Sequence, residues 1–332
     1  MAPATSPYGD RPAVLLAPME DVSDPPFRKV CRTLGASLCF TEFVNVDSLL
    51  KGDVRSQRKL RLAPDDHPTA IQIYGADPRT LREAAILAEQ AGAAFIDINC
   101  GCWVPRIAGR GAGAAWLREP DRMVEMAALI VQSVRLPVTV KTRIGWGLEE
   151  QMPIVDLARR LEDVGVSGIT VHCRTAKMRH DGAADWSWAA RTQAAVRIPV
   201  ICNGDIRTAE DCRRALAQTG CAGVMIGRGV ISYPWVFREA RALLQRGEVV
   251  APPTVDERLA FLITLLKENV AWRGPDGVFC TRRHYAGMLG PIPGGEALKA
   301  KLYATKSWER ALELLEEARA RPDVLPPERA VA

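Results

Sequence analysis

Eight short, nearly continuous apolar runs recur along the chain, at residues 14–17, 38–43, 69–74, 94–99, 137–141, 168–172, 199–203 and 223–227. Amphipathic helical patterns fill most of the intervals, at 24–34, 79–91, 120–134, 152–164, 186–196 and 208–219. Apolar runs that do not alternate with polar residues are strands buried on both faces, which is what a parallel sheet covered by helices provides. Eight strand-then-helix units close naturally into a (β/α)8 TIM barrel; a doubly wound open sheet is the competing α/β arrangement. Helix starts are marked by Asp24 ahead of two prolines, by Asp77-Pro78, and by Thr208 with Asp211 three residues on.

The pattern changes after Leu244. Residues 249–254 form a proline-rich joint, and helical stretches follow at 255–272, 279–289, 296–303 and 307–319. The expected organisation is a barrel over 1–248 and a small C-terminal all-α domain over 249–332, which 332 residues accommodate. The N-terminus lacks the basic-then-apolar layout of a signal peptide, and no apolar run approaches the ~20 residues of a membrane span. Nine cysteines, an odd number without framework spacing, point to free thiols in a reducing cytoplasm. Cys100 and Cys102 have no second pair at zinc spacing, so no metal is expected. The net charge of +5 is compatible with an anionic partner, and nothing calls for an obligate protein partner.

In parallel α/β folds, chemistry is done where the strands end. The predicted strands end in Pro18-Met19-Glu20, in Glu42 and Asn45, in Asn99 and Cys102, in Lys141, in His172, in Asn203-Gly204-Asp205 and in Gly227-Arg228-Gly229, with Gln72 inside the third. A barrel brings them onto one face. Cys102 is the candidate catalytic residue; the plain alternative is a buried thiol acting as a small hydrophobe. The glycine turns after the last two strands suit a phosphate, bound by backbone N–H groups and Arg228, although either glycine alone would serve an ordinary turn. Lys141 ends an apolar strand, where a cation is costly unless paired; beside a flavin's N1–C2=O edge it would stabilise the reduced, anionic ring. Gln72 can donate and accept at the polar edge of such a ring. A snorkelling lysine and a core amide are the bland readings of these two. His172 could meet phosphate, substrate or only the core. Gly109-Arg110-Gly111-Ala112-Gly113 lacks the G-x-G-x-x-G spacing and follows a loop, so it is not a dinucleotide fingerprint.

Taken in order, these residues resemble the tRNA-dihydrouridine synthases, flavoenzymes that reduce specific uridines in tRNA. The resemblance rests on Leu16-Ala17-Pro18-Met19-Glu20-Asp21-Val22-Ser23-Asp24-Pro25-Pro26-Phe27-Arg28, Thr41-Glu42-Phe43, Gln72-Ile73-Tyr74-Gly75 and Asp97-Ile98-Asn99 with Gly101-Cys102. It continues through Gly111-Ala112-Gly113-Ala114, Val140-Lys141-Thr142-Arg143, His172 with Arg174-Thr175, Ala184-Asp185-Trp186, Asn203-Gly204-Asp205-Ile206, Met225-Ile226-Gly227-Arg228 and Arg282-Arg283-His284-Tyr285. It spans roughly 13–320 and looks closest to the bacterial branch of broad tRNA specificity. Three positions depart from the family pattern: Trp103 stands where proline is usual, Pro105 where a basic residue is common, and Cys173 where glycine is usual. All three are expected on the substrate side of the site.

The resemblance implies a TIM barrel plus a helical tRNA-recognition domain. FMN would be held by Pro18, Met19, Glu20, Gln72, Lys141, His172, Asn203, Gly204, Asp205, Gly227 and Arg228, with NADPH as reductant. Cys102 would be the acid that protonates C5 of uracil while hydride reaches C6. A thiol suits that role because its ordinary pKa near ~8.5 keeps it protonated at neutral pH. The uracil must leave its stack to reach a recessed flavin, at a cost of a few kcal/mol, which favours a loop uridine in folded RNA. Asn99, Arg106, Arg174, Arg282 and Arg283 are the candidate substrate contacts. Residues 251–332 carry 12 Lys and Arg against 11 Asp and Glu, so any attraction of that domain for RNA is local. Ribosomal RNA as target, a flavin ene-reductase of a free small molecule, and a non-catalytic RNA-binding module on an old enzyme scaffold are the rival readings.

Overall fold

The computed structural model describes residues 6–9, 12–147 and 152–320. Nine strands, β1 (Ala13–Leu16), β2 (Leu38–Phe40), β3 (Val44–Asn45), β4 (Thr69–Tyr74), β5 (Ile96–Cys100), β6 (Val138–Arg143), β7 (Gly168–His172), β8 (Val200–Asn203) and β9 (Gly223–Ile226), pair in parallel. β1 pairs with both β2 and β9, and β2 pairs with β4, so eight strands close into a TIM barrel. β3 continues the β2 position along β4. The single strand expected at 38–43 is therefore broken. The Thr41 Oγ1 accepts the Gln72 N–H at 3.1 Å, taking the part of a ladder carbonyl, and the chain rejoins β4 only at Val44.

Period-two alternation sorts each strand into a helix-facing and an axis-facing set. Ile96 and Ile98, Val138 and Val140, Ile169 and Val171, Val200 and Cys202, Val224 and Ile226 join one large core with the helices. The other parity climbs the barrel axis from apolar to polar. At the bottom Leu15, Phe40, Ala70, Phe95, Ile201 and Met225 pack around Tyr8, which plugs the floor. A Cβ at Gly168 would lie 2.6 Å from the Tyr8 ring, so glycine is required there. One step up lie Gln72, Asp97, Thr139 and Thr170, all fully buried. At the top stand Asn99, Lys141, His172 and Asn203.

The helices Pro25–Thr33, Pro78–Gln90, Pro120–Val131, Ile154–Asp163, Ser187–Ala195 and Ala209–Thr219 occupy the expected intervals. Asp24 caps the first through the Phe27 N–H, and Thr208 with Asp211 forms a reciprocal capping box. Helices Val46–Leu50, Val54–Leu60 and Val236–Arg246 complete the ring beyond what the sequence pattern foretold. The first two are five and seven residues long, too short for helical periodicity to register. No helix among the described residues is long and apolar enough to cross a membrane.

Four further helices, Val255–Arg273, Gly277–Leu289, Gly295–Ala304 and Trp308–Ala320, form the C-terminal all-α part. Its core, including Leu262, Leu266, Tyr285, Met288 and Leu315, is continuous with that of the barrel. Arg273 pairs with Asp24 at 2.9 Å, and the Arg258 guanidinium stacks 5.4 Å from the Trp235 ring. Helix 277–289 comes so close to Ser232 that a Cβ at Gly287 would lie 2.3 Å from the Ser232 Cα.

Candidate active site

A cavity of about 420 Å³ opens at the C-terminal ends of the strands. Pro18, Met19, Glu20, Asn99, Cys102, Lys141, His172, Arg174, Asn203, Gly204, Asp205, Gly227 and Arg228 all line it. Cys102 is thus a partly exposed cavity residue and does not belong to either apolar core. Gln72 does not line it. It is fully buried one layer below, where its Nε2 donates to the Asp97 Oδ2 at 2.6 Å and its Oε1 accepts from the Asn99 Nδ2 at 2.9 Å.

That amide belongs to a relay that the sequence reading missed. The Thr139 hydroxyl donates to the Asp97 Oδ1 at 2.5 Å. Asp97 orients Gln72, Gln72 orients Asn99, and the Asn99 Oδ1 accepts the N–H groups of Gly101 and Cys102 at 3.1 and 3.0 Å. Burial raises the Asp97 carboxyl to about 6, against the hydrogen bonds from Gln72 and Thr139. From the other side, the Cys102 carbonyl accepts the Ala114 N–H at 2.9 Å. A Cβ at Gly113 would lie 2.6 Å from that carbonyl oxygen, so the glycine run at 109–113 lets backbone close over the cysteine loop.

Arg143 was also missed. Its Nε donates to the Gly101 carbonyl at 2.8 Å, and its Nη1 to the Thr175 and Arg179 carbonyls at 2.8 and 2.9 Å. This buried guanidinium ties the Cys102 loop to the loop after β7. Burial lowers its pKa to about 10. The parity of β6, Thr139-Lys141-Arg143, was the available signal, since every second residue of that strand faces the axis.

The cavity is electropositive. Lys141 is half-buried, and its Nζ donates to the Asn203 Oδ1 at 3.1 Å; among the described residues no carboxylate pairs with it. Burial, then the nearby Arg143, brings its pKa down to about 8. Burial together with Arg143, Lys141 and Arg174 pushes His172 well below its ordinary value, so the ring is neutral and can accept from the Arg174 Nη1 at 3.4 Å. Burial raises the Cys102 thiol, while the Val104 N–H and the Arg143 and Lys141 charges pull the other way. The group that borders the cavity is therefore protonated at neutral pH.

Other predicted residues stand elsewhere or are already engaged. Glu20 lies at the rim, where its oxygens, with those of Asp21 and Glu42, cluster within 4.8 Å; Lys59 and Arg55 pair with it at 2.5 and 3.0 Å. Arg174 is buried and committed to Asp205 at 2.6 Å and to the Gly182 carbonyl, which shapes the turn after β8. Arg106 is exposed outside the cavity. Arg282 and Arg283 lie on helix 277–289 and donate to the Thr305 and Cys280 carbonyls. The useful residue of that segment is His284, whose Nδ1 lies 2.9 Å from the carbonyl of Ile231, a cavity residue, and which packs on Phe27. Of the three departures from the family pattern, Trp103 lines the cavity. Cys173 does not meet the expectation of a substrate-side position: it is fully buried in the outer core, with its sulfur 4.0 Å from that of Cys202.

The residues suit a flavin mononucleotide. The N–H groups of Gly204, Gly227 and Arg228 have no acceptor among the described residues. Among the described residues a Cβ at Gly227 would meet only Ala17, 3.9 Å away, so glycine leaves the cavity open at that point. An anionic phosphate there and a ring edge that becomes anionic on reduction beside Lys141 would both be stabilised.

Residues 15–322 match the family model described as dihydrouridine synthase (Dus). A protein of Rhodobacter capsulatus named "Probable tRNA-dihydrouridine synthase" is 41% identical over 82% of this chain and 85% of its own. tRNA-dihydrouridine synthase B of Xanthomonas axonopodis pv. citri is 36% identical over 84% of both chains. The B protein of Pseudomonas aeruginosa is 35% identical over 89% of both.

Proposed function

Because the chain belongs to the dihydrouridine synthase family of enzymes, we propose that it reduces the C5=C6 bond of specific uridines in tRNA to 5,6-dihydrouridine, in the cytoplasm, with FMN as cofactor and NADPH as reductant. The observation that carries this reading is a pair that lines one cavity: Cys102, whose thiol burial keeps protonated, and the half-buried Lys141 ammonium, which has no carboxylate partner among the described residues.

FMN, when bound and reduced, supplies the hydride for uracil C6. The chain's own residues do the rest. Cys102 holds a proton on its sulfur and delivers it to C5. Asn99 and Gly113 fix the loop that carries the thiol, so the distance to a stacked pyrimidine is preset. Lys141 balances negative charge at the ring edge, and His172, being neutral, adds a hydrogen-bond partner without competing for the anion. Pro18, Met19, Asn203, Gly204, Gly227 and Arg228 form the remaining cradle, and Gln72 acts from beneath through Asn99. Glu20 and Asp205 shape the rim. Substrate RNA would meet Asn99 at the chemistry and the exposed Arg106 outside it. The helices of 249–332, with Arg282 and Arg283, would serve as the tRNA-recognition domain.

The test is to map dihydrouridine across total RNA in cells with and without the gene, and to assay the purified holoenzyme and its Cys102→Ala variant on unmodified tRNA. The expected result is loss of dihydrouridine from tRNA in the deletion. The variant should keep FMN and its reduction by NADPH but form product at least 100-fold more slowly. Normal turnover by Cys102→Ala refutes the acid role; loss confined to ribosomal RNA, or equal activity on free uridine, refutes the substrate.

A further inference from the structure

Trp103 is a wall between two cavities. Beyond it, on the far side of the Cys102 loop, lies a second hollow of about 330 Å³, lined by Trp103, Trp146, Arg118, Lys177 and Arg179 among others. The Arg118 guanidinium stacks 3.6 Å from the Trp146 ring centre, and that of Arg179 lies 5.2 Å from the Trp103 ring. Both indoles are partly exposed, and the three cations are exposed. The Arg143 staple holds the backbone of Arg179 and of Gly101 together, so the two cavities sit at a fixed spacing.

A flat aromatic or guanidinium face offers stacking to any nucleobase, and clustered cations offer charge to a phosphate. A free anion would use the cations and leave the indoles idle. An acidic peptide would likewise meet the cations through its carboxylates and leave the indoles idle. A nucleotide uses both features at once. We propose that this hollow is a second nucleotide subsite, which takes the base of a residue flanking the target uridine and sets its phosphate among Arg118, Lys177 and Arg179. The assignment rests on the RNA-modifying reading above and deepens it: the enzyme would select its uridine partly by a neighbour held outside the chemical site.

Binding of unmodified tRNA transcript to the holoenzyme tests this apart from catalysis. Arg118 and Trp146 do not border the chemical cavity. Arg118→Ala and Trp146→Leu should each weaken binding about tenfold, and Trp146→Phe should restore most of the loss. The slope of log affinity against log salt should fall by about one for Arg118→Ala and stay unchanged for Trp146→Leu. Arg118→Lys, an exposed change that does not endanger folding, should keep the salt slope but remain several-fold weaker, because a lysine does not stack. Full rescue by lysine, or wild-type affinity in Trp146→Leu, would overturn the subsite in favour of a merely basic surface. Dihydrouridine is measured separately in the same samples. If the wild type forms none while the variants still differ in binding as expected, the proposed function fails and the subsite stands.

Discussion

A carboxyl at the centre of the barrel gives the site its sharpest pH signature. Asp97 is fully buried, and burial raises it from the ordinary 3.8 to about 6. The folded state then holds the proton more tightly than the unfolded chain. The associated stability is full below about pH 4 and is lost as pH rises through 6, about 3 kcal/mol in all. In Asp97→Asn that dependence disappears. Urea unfolding at pH 4 and pH 7 should therefore show the variant gaining on the wild type by up to about 3 kcal/mol as pH rises; a constant difference would show Asp97 ionised throughout. Because Asn can still accept from Gln72, the relay to Asn99 should survive and FMN should remain bound. Cys102, Lys141, His172 and Asn203 were legible as cavity residues, since each ends a run of obvious strand character. Asp97 and Arg143 were not, although both stand in the quoted motifs. A residue's parity says that it faces the axis, but not which neighbours it meets there.

At the scale of elements, the eight strands were legible because burial on both faces leaves runs without polar interruption. The break in the second was not, because it depends on one hydroxyl replacing one carbonyl. The short helix Gly229–Ser232, which follows the glycine turn after β9, was likewise invisible, yet it joins the cavity to the C-terminal helices. Ile231 lines the cavity and is held by His284, while Ser232 touches Gly287. Gly287→Ala sets two effects in opposition. Helix propensity alone would make alanine stabilising by about 1 kcal/mol. A Cβ 2.3 Å from the Ser232 backbone forces helix 277–289 outward, and overpacking of that kind costs about 1–3 kcal/mol. We expect packing to win: a lower Tm, together with weaker FMN affinity because Ile231 loses its support. A higher Tm in Gly287→Ala would mean that the two elements separate freely.

On the scale of the whole molecule, the question is whether the barrel and the C-terminal helices unfold as one. The change of pattern near 249 was readable from proline content; the strength of the joint was not, because it rests on tertiary contacts such as Arg273 with Asp24, 249 residues apart. Asp24 is the decisive group, since it caps helix Pro25–Thr33 through the Phe27 N–H and also pairs with Arg273 of helix Val255–Arg273. Two substitutions separate these roles. Asp24→Asn retains a good cap and removes the charge, whereas Asp24→Ala removes both. The step from Asn to Ala should cost about 1 kcal/mol, the ordinary worth of a cap, and should be felt wherever the first helix is measured. The step from Asp to Asn leaves a largely buried guanidinium with Glu42, 3.9 Å away, as its only carboxylate among the described residues, and should cost about 2–4 kcal/mol. If the two parts share one transition, both steps lower a single Tm, seen alike by FMN fluorescence and by helical circular dichroism. A joint that merely tethers would instead let the C-terminal helices melt first in Asp24→Asn, with FMN retained to the wild-type temperature. The continuous core and the contacts through Ile231, Ser232 and Arg258 argue for the single transition.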